Sequence, residues 1–385
     1  MERRRPTSAD VARRAGVSRT TVSFVLNSRQ GVTIPEATRR RVLDAAEALD
    51  YHPHGPARQL AARASHTLGL VLRQSAQQVA GDALLVDTLR GLSTAARANG
   101  YRVLVEALGP GEGSYAGLLR SAHCDGLVIS GPRTDDQELA DLVRDGFPVV
   151  IQGSLPSVSA PSVDVDNEAG ARLAVEHLVR LGHRRIGCIT NASLAYTAAA
   201  ERLSGYRQAI VAAGLADDPA LVAEGAFEPG SGQRAVVELL DRAPDGSLPF
   251  TALFVASDVV ALGAVDGLRR RGLRVPDDVS VVGFDDIPLA AYVDPPLTTV
   301  RLPAHELGLA AGRALLDQIA GRPVAERTLL SIELVIRSST RRADGASGET
   351  DGSRRPRAAG GKGRRTHSSA LGGGRTTGAS APGKE

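Results

Sequence analysis

Short apolar runs alternate with amphipathic stretches over more than half of this 385-residue chain. The runs "TLGLVL", "YRVLVEAL", "HCDGLVIS" and "PVVIQG" are separated by helical patterns such as "VDTLRGLSTAARANG", and a second set follows with "RRIGCIT", "TALFVASD" and "VSVVGFDD". Buried parallel strands joined by crossover helices produce this pattern. We therefore predict an α/β fold whose core has two lobes of doubly wound parallel sheet, with a ligand site beyond the carboxyl ends of the strands.

Charge is distributed unevenly along the chain. Residues 1–66 carry 12 Arg and 6 acidic residues, residues 67–340 carry 24 basic and 33 acidic residues, and residues 341–385 carry 10 basic and 4 acidic residues. The net formal charges of the three segments are therefore +6, −9 and +6. Basic ends on an acidic body suggest that the ends contact a polyanion such as DNA, although a solvated charged surface gives the same pattern.

The first 53 residues predict a three-helix, helix-turn-helix DNA-binding domain. A first helix begins near Thr7 and Ser8, which are good amino-terminal caps, and Gly16 ends it. Ser18 caps a second helix, and a third helix follows with Pro35 in its first turn. The apolar positions expected to close the core are Val11, Ala12, Ala15, Val22, Val25, Leu26, Val42, Leu43, Ala46 and Leu49. An ordinary helical hairpin would show a similar pattern.

Polar side chains at the start of the second helix divide into two groups by their chemistry. Arg19 and Thr20 lie at the exposed tip, where side chains reach base edges in the major groove. Ser18, Thr21 and Ser23 are short donors suited to phosphate oxygens. We therefore expect this end of the helix to contact double-stranded DNA.

In this order, the motifs resemble those of the lactose-repressor (LacI/GalR) family of bacterial transcription regulators, from about residue 7 to residue 340. They are "DVARRAGVSRTTVSFVLN", "ALDYHPHGPARQLA", "VDVDNEAGARLAVEHLVRLGHRRIGCIT", "VASDVVALGAVDGLRRRGLRVPDDVSVVGFDDIPLA" and "PPLTTVR". The resemblance implies a DNA-binding domain (1–53), a hinge helix (54–66) and a periplasmic-binding-protein-like core (67–340) for effector binding and dimerisation. Within that core it implies lobe 1 at about 67–166 and 298–326, and lobe 2 at about 167–297 and 327–340.

Residues 341–385 are predicted to form a disordered basic tail. They are rich in Gly, Ser and Arg and poor in large apolar side chains, so they cannot bury a core. The segment has no leucine heptads of the kind that make tetramers in part of this family, so the resemblance implies a homodimer.

The resemblance also implies roles for residues that contact DNA. It assigns base contacts to Arg19, Thr20 and Phe24, and phosphate contacts to Thr7, Ser18, Thr21, Ser23 and Asn27. It implies that the hinge residues Ala57 and Leu60 enter the minor groove at the centre of a palindromic operator. Two positions depart from the family. Phe24 replaces a long polar side chain, so it would contact a thymine methyl or pack against the first helix, and His54 replaces an Asn that often caps the hinge helix.

A small-molecule effector is expected in the cleft between the lobes, again by resemblance. The candidate effector-binding residues are Arg202, Asp285, Ser257, Asp258 and Tyr196. For Asp258 and Asp286 the alternative is a structural role, as a helix cap or in a turn. The family's Asn-Pro-aromatic-aromatic run is missing, since no Phe, Tyr or Trp occurs from residue 67 to residue 100. An aromatic face for a sugar would therefore come from Tyr196, Phe227 or Tyr292.

These features predict a dimeric transcriptional repressor that binds operator DNA and is controlled by a sugar or sugar derivative. The alternative is an architectural or effector-independent DNA-binding regulator with a vestigial cleft. We recognise no enzyme, metal or cofactor motif, because "GPGEGS" lacks the Lys of a P-loop and no G-x-S-x-G or H-E-x-x-H occurs. The arginine-rich start precedes no apolar segment, so we expect a cytoplasmic protein with no membrane partner.

Overall fold

The structure is a computed structural model, and it describes residues 6–26, 33–51, 64–109, 111, 114–120, 123–243 and 247–343. Four positions named above, Asn27, His54, Ala57 and Leu60, lie outside the described residues, as do residues 344–385. The predictions for them stay predictions.

Three helices form the amino-terminal domain, as expected: α1 (Ser8–Ala15), α2 (Arg19–Leu26) and α3 (Glu36–Ala48). Thr7 caps α1, and Gly16 follows it with a φ of 67°, which glycine adopts without steric cost. The buried core consists of Val11, Ala12, Ala15, Val22, Val25, Val42, Ala45 and Ala46. Short apolar side chains thus let the three helices approach closely.

The third helix differs in two details from the prediction. Pro35 precedes α3 as its cap instead of lying in the first turn. Leu43 is 46% exposed, and Ala45 occupies the inner position instead. Successive helical residues are rotated by about 100°, so with Val42 facing the core the next residue turns outward.

The strands after the amino-terminal domain form two six-stranded sheets. Sheet 1 contains β1 (Thr67–Leu72), β2 (Arg102–Ala107), β3 (Gly126–Ser130), β4 (Val149–Gln152), β5 (Ser162–Val165) and β11 (Arg327–Leu330). Its order is β11-β5-β4-β3-β1-β2, and all the neighbouring strands are parallel. Sheet 1 is the centre of lobe 1.

Sheet 2 is the centre of lobe 2. It contains β6 (Ile186–Ile189), β7 (Val222–Ala223), β8 (Ala252–Val255), β9 (Ser280–Asp285), β10 (Thr298–Arg301) and β12 (Glu333–Val335). Its order is β12-β10-β9-β8-β6-β7. The pairing of β10 with β12 is antiparallel and the others are parallel. The doubly wound α/β prediction is thus confirmed for both lobes.

Helices cover both sheets. They are α4 (Ala76–Ala80), α5 (Leu85–Ala98), α6 (Tyr115–Arg120), α7 (Gln137–Arg144), α8 (Asn167–Arg180), α9 (Thr197–Ala212), α10 (Pro229–Asp241), α11 (Asp258–Arg270) and α12 (Ala304–Ile319). Leu92 of α5 and Leu315 of α12 share one buried cluster with Leu70 and Val128 of sheet 1. Short 3-10 turns occur at Pro219–Leu221 and Pro288–Ala291.

The chain crosses between the lobes three times. The first crossing, after β5, falls near residue 166 as expected. The other two were expected near 297 and 327, and both fall about four residues later: β10 pairs with β9 in sheet 2, and β11 pairs with β5 in sheet 1. Thr298, Thr299 and Val300 are all buried, so this segment extends the sheet instead of linking the lobes.

The last described residues are held against lobe 2. The Arg341 guanidinium donates to the carbonyls of Pro276 and Asp277, and the Ala343 N–H donates to the carbonyl of Leu181. Residues 341–343, which were predicted to belong to the disordered tail, therefore extend the ordered core.

Candidate functional site

The amino end of α2 combines an internal cap with exposed side chains. The hydroxyl of Ser18 accepts from the Thr21 N–H at 3.0 Å and lies 2.9 Å from the Thr21 hydroxyl. Arg19 and Thr20 are exposed beside this cap, whereas Val22 on the same helix is buried in the three-helix core. The local sequence thus fixes α2 by its apolar side and leaves its tip in solvent.

The remaining predicted DNA contacts that the structure describes differ in exposure. Thr7 donates from its hydroxyl to Asp10 at 2.7 Å and from its N–H to the same carboxylate at 2.9 Å. A phosphate contact from the Thr7 hydroxyl would have to replace this capping bond. Ser23 is exposed and Phe24 is partly exposed.

A cavity of about 150 Å³ lies between the lobes, beyond the carboxyl ends of the parallel strands. Its polar lining residues are Gln74, Gln78, Asp82, Thr88, Ser130, Gln152, Asp164, Asn167, Asn191, Tyr196, Arg202, Ser257 and Asp285. Ala83, Leu84 and Leu85 line it where the aromatic run of lobe 1 was missing from the sequence. The placement agrees with the rule for ligand sites in open α/β sheets.

Arg202 and Asp285 form the most constrained part of this cavity. Arg202 donates from Nε to Asn167 Oδ1 at 2.9 Å, and from Nη1 to the Ala256 carbonyl at 2.6 Å and to Asp285 Oδ1 at 3.2 Å. Its guanidinium also lies 3.8 Å from the centre of the Phe284 ring. Both charged side chains are buried, and these contacts hold the Arg202 guanidinium in one orientation.

Asp285 is unusual in its backbone and in its ionisation. Its φ is 117°, and the φ of the following Asp286 is 55°, both in the region that non-glycine residues avoid. Such strain concentrates at ligand sites, where the surrounding structure enforces it. Burial raises the pKa of Asp285 to about 6, while the positive charge of Arg202 and a hydrogen bond from Ser257 act in the opposite direction.

Comparisons with known proteins agree with this architecture. A model described as bacterial regulatory proteins of the lacI family matches residues 7–54, and a periplasmic binding protein-like domain matches residues 175–340. The regulator CelR of Thermobifida fusca is 37% identical over 343 residues, which cover 88% of this chain and 99% of CelR. The repressor CytR of Escherichia coli strain K12 is 36% identical over 340 residues, covering 87% of this chain and 96% of CytR. The chain belongs to the lacI family of bacterial regulatory proteins.

Solved LacI-family structures are also similar over most of the chain. The complex of the regulator CelR with cellobiose has a TM-score of 0.65 and 36% identity, and covers 87% of this chain and 100% of that one. The lac repressor dimer bound to its operator and the anti-inducer ONPF has a TM-score of 0.75 and 31% identity, and covers 88% of this chain and 100% of that one.

In this LacI-family chain, Asp258 lies outside the residues that line the cavity. Its carboxylate accepts from the Thr299 hydroxyl at 2.6 Å and from the Ile287 N–H at 3.0 Å, and burial raises its pKa well above the usual value. Asp286 accepts from Arg301 at 2.7 Å and from Arg337 at 2.6 Å. The contacts of both residues fit the structural alternative, although Ser257, one residue earlier, is the cap of α11.

Two of the three candidate aromatic faces belong to the cavity. The rings of Tyr196 and Phe227 both line it and meet edge to face with their centres 5.0 Å apart. The Tyr196 hydroxyl donates to the Arg73 carbonyl of lobe 1, and the Arg133 guanidinium lies 4.6 Å from its ring centre. Tyr292 is 84% exposed and lies outside the cavity lining.

Several lining residues were missed from the sequence. Gln152 ends β4, Asp164 lies in β5, and Gln74 and Asn191 each follow a strand by two residues. Their positions at the carboxyl ends of parallel strands were the available sequence signal. Within the described ranges, no group of three or more His, Cys, Asp and Glu side chains is arranged to hold a metal ion. The helices described there include none with the length and hydropathy needed to span a membrane.

Proposed function

We propose that this LacI-family regulator is a transcriptional repressor that binds a palindromic operator as a homodimer. In this proposal, a small molecule in the inter-lobe cleft changes the affinity for the operator. The relatives support this assignment, because CytR is named as a repressor and one lac repressor structure contains a dimer on its operator. Because bacterial DNA lies in the cytoplasm, we propose that the protein acts there.

One observation carries the DNA-binding part of the proposal. The buried side chains of α2 fix the helix, and its capped amino end leaves Arg19 and Thr20 exposed. An arginine guanidinium can donate two hydrogen bonds to a guanine edge in the major groove. A threonine can hydrogen-bond a base edge through its hydroxyl or contact a thymine methyl through its own methyl group. We assign base contacts to Arg19, Thr20 and Phe24. Phosphate contacts are assigned to Thr7, Ser18, Thr21, Ser23 and Asn27, and minor-groove contacts to Ala57 and Leu60.

For the effector we propose a carbohydrate or a related polyhydroxylated compound. The cavity places the Arg202–Asp285 pair, Ser257 and the Tyr196 ring around one space, and the similar regulator CelR has been solved with cellobiose. Closure of the lobes around an effector would couple to the operator-binding domain with about 1 to 3 kcal/mol, the usual range for allosteric regulators. The strained backbone at Asp285 and Asp286 and the many polar side chains that line the cavity argue against a vestigial cleft.

Selection of bound sequences from random double-stranded DNA tests the proposal. The purified full chain is selected with no addition and with cellobiose, glucose, cytidine or adenosine present. A palindromic consensus whose occupancy changes with one compound is the expected result. Loss of any sequence preference would contradict the operator assignment, whereas a palindrome bound equally in every condition would support the effector-independent alternative.

A further inference from the structure

The cleft contains hydrogen-bond acceptors that the described residues leave unsatisfied. Gln74 Oε1, Gln152 Oε1 and Asn191 Oδ1 are buried and have no hydrogen-bond partner within the part of the chain that the structure describes. All three residues line the cavity. Gln74 and Asn191 are only 8% and 4% exposed, and they come from opposite lobes. Buried carbonyl oxygens are rarely left unpaired, so a ligand that donates hydrogen bonds fits them.

Carboxylates add to this excess of acceptors. Asp82 and Asp164 line the cavity from lobe 1, and Asp285 lines it from lobe 2. Burial raises the pKa of Asp82, and burial is also the main cause that raises the pKa of Asp285, with the charge of Asp82 acting in the same direction. Asp82 and Asp285 thus bring carboxylates to the same cavity from opposite lobes. A ligand that donates hydrogen bonds to them would offset the repulsion between like charges in one site.

The positive charge in the lining is already engaged. Arg202 is the one Lys or Arg among the described residues that line the cavity, and its Nε and Nη1 atoms donate to Asn167, Ala256 and Asp285. An incoming phosphate or carboxylate would have to break these bonds to gain a bidentate contact. The local charge is thus unfavourable for an anion.

We propose that the cleft takes an effector that donates several hydrogen bonds and carries no negative charge, and that Asp82 excludes phosphorylated and acidic ligands. This inference rests on the proposed function, because it names the class of effector for the same cleft. Asp82 begins the segment "DALL", which lies in the region of lobe 1 where the family's aromatic run is missing. The Asp82 carboxylate would therefore discriminate against anionic ligands from the lobe 1 side of the cleft, where residues 67–100 include no aromatic ring for stacking.

The test compares neutral and anionic forms of the same compounds. The probes are cellobiose with cellobionate, glucose with glucosamine and glucose 6-phosphate, and cytidine with cytidine monophosphate. Binding of each probe to the full chain is measured by calorimetric titration and by the shift in Tm. At least one neutral or amine form should bind, and its anionic partner should bind at least about tenfold more weakly.

Asp82→Asn is the informative variant. The Asp82 carboxylate accepts from the Leu84 N–H at 2.9 Å, and an Asn side chain can accept the same bond, so the start of α5 is preserved. In this variant, the ratio of the affinities for the neutral and anionic forms of a probe should be about tenfold smaller than in the natural chain. Asp87→Asn is the matched control, because Asp87 lies on α5 paired with Arg90 at 3.0 Å and outside the cavity lining.

Three results would overturn the inference. The first is an anionic probe that binds the natural chain as tightly as its neutral form. The second is unchanged discrimination in Asp82→Asn, which would remove this residue from the selection. The third is the absence of binding by every neutral and amine probe. Operator selection in the absence of any probe is a separate measurement, so failure of the effector class is distinguishable from failure of the DNA-binding function.

Discussion

Asp164 lies at the end of β5 with its carboxyl group buried among the cleft residues. Burial raises its pKa to about 7, and the nearby Glu201 carboxylate acts in the same direction, while the Val165 N–H and Arg202 act against them. The folded state therefore retains the Asp164 proton over a pH range in which the unfolded chain has lost it. This contribution to stability is largest below the unfolded pKa, near 4, and is lost as the pH rises to about 7.

Asp164→Asn should accordingly stabilise the chain more at pH 8 than at pH 5. The increase in the free energy of unfolding, measured by urea unfolding, should be larger at pH 8 than at pH 5 by on the order of 2 kcal/mol. The Asn side chain can still accept from the Val165 N–H, which lies 2.8 Å from Asp164 Oδ1. Asp166→Asn, at the exposed cap of α8, is the control. If Asp164→Asn stabilised the chain equally at both pH values, the raised pKa assigned to Asp164 would be wrong.

Arg19→Ala should reduce affinity for the selected operator by about 1 to 3 kcal/mol and relax the preference at one base position. Arg13→Ala, on the exposed side of α1, removes the same charge away from the tip of α2 and should affect all sequences alike. Both variants are compared by titration of cognate and shuffled DNA. If Arg19→Ala weakened binding equally on every sequence, Arg19 would be a phosphate contact.

Single side chains were predicted unevenly from the sequence. Arg202 and Asp285 were named because their motifs matched a family, and both line the cleft. Ser18 was named as a cap because caps are encoded locally, and it accepts from the Thr21 N–H. Gln74 and Asn191 were missed because each acquires its role only when the two lobes meet. Leu43 was misplaced because the helical pattern allowed two neighbouring stripes, and only the packing of α1 and α2 chooses between them.

Helices α5 and α12 pack in close contact through glycine. A Cβ atom built on Gly91 would lie 1.9 Å from the His305 carbonyl oxygen, and one on Gly308 would lie 2.1 Å from the Thr88 carbonyl oxygen. Neither position can accept a larger side chain unless the helices separate. Because α5 begins directly after Asp82 and Leu84, this contact also positions the lobe 1 wall of the cleft.

Gly91→Ala should therefore destabilise the chain by about 1 to 3 kcal/mol, in spite of the better helix propensity of alanine. Gly117→Ala in α6 is the matched control, since no atom lies within 4 Å of its added Cβ, and it should be neutral or slightly stabilising. Thermal and urea unfolding measure both. If Gly91→Ala were as stable as the control, the close contact of the two helices would be incorrect.

Secondary structure and sheet class followed from the alternation of apolar runs, whereas sheet membership near the crossings did not. Residues 298–301 and 327–330 are short segments that the sequence places near the boundary of a lobe. Their partners, β9 and β5, are chosen by register and burial between distant parts of the chain. Local patterns contain no information on that choice.

The basic groups among residues 344–385 should attract DNA in a salt-dependent way. Truncation after Ala343 preserves its hydrogen bond to Leu181 and removes residues 344–385, which carry more basic than acidic groups. The truncated chain should bind nonspecific DNA more weakly, with a shallower dependence of log affinity on log salt concentration. Titrations from about 50 to 200 mM salt measure the slope, and identical slopes for the two chains would show that the tail is passive.

The three crossings between the lobes also determine when each lobe can be completed during synthesis. Lobe 1 needs α12 and β11, which the ribosome makes only after nearly all of lobe 2. Until then the glycine-lined surface of α5 around Leu92 lacks its covering helix. A nascent chain that ends before residue 304 therefore exposes apolar surface, and chaperones would bind there. At that stage lobe 2 also lacks its edge strand β12, so both lobes acquire their last elements only near the end of synthesis.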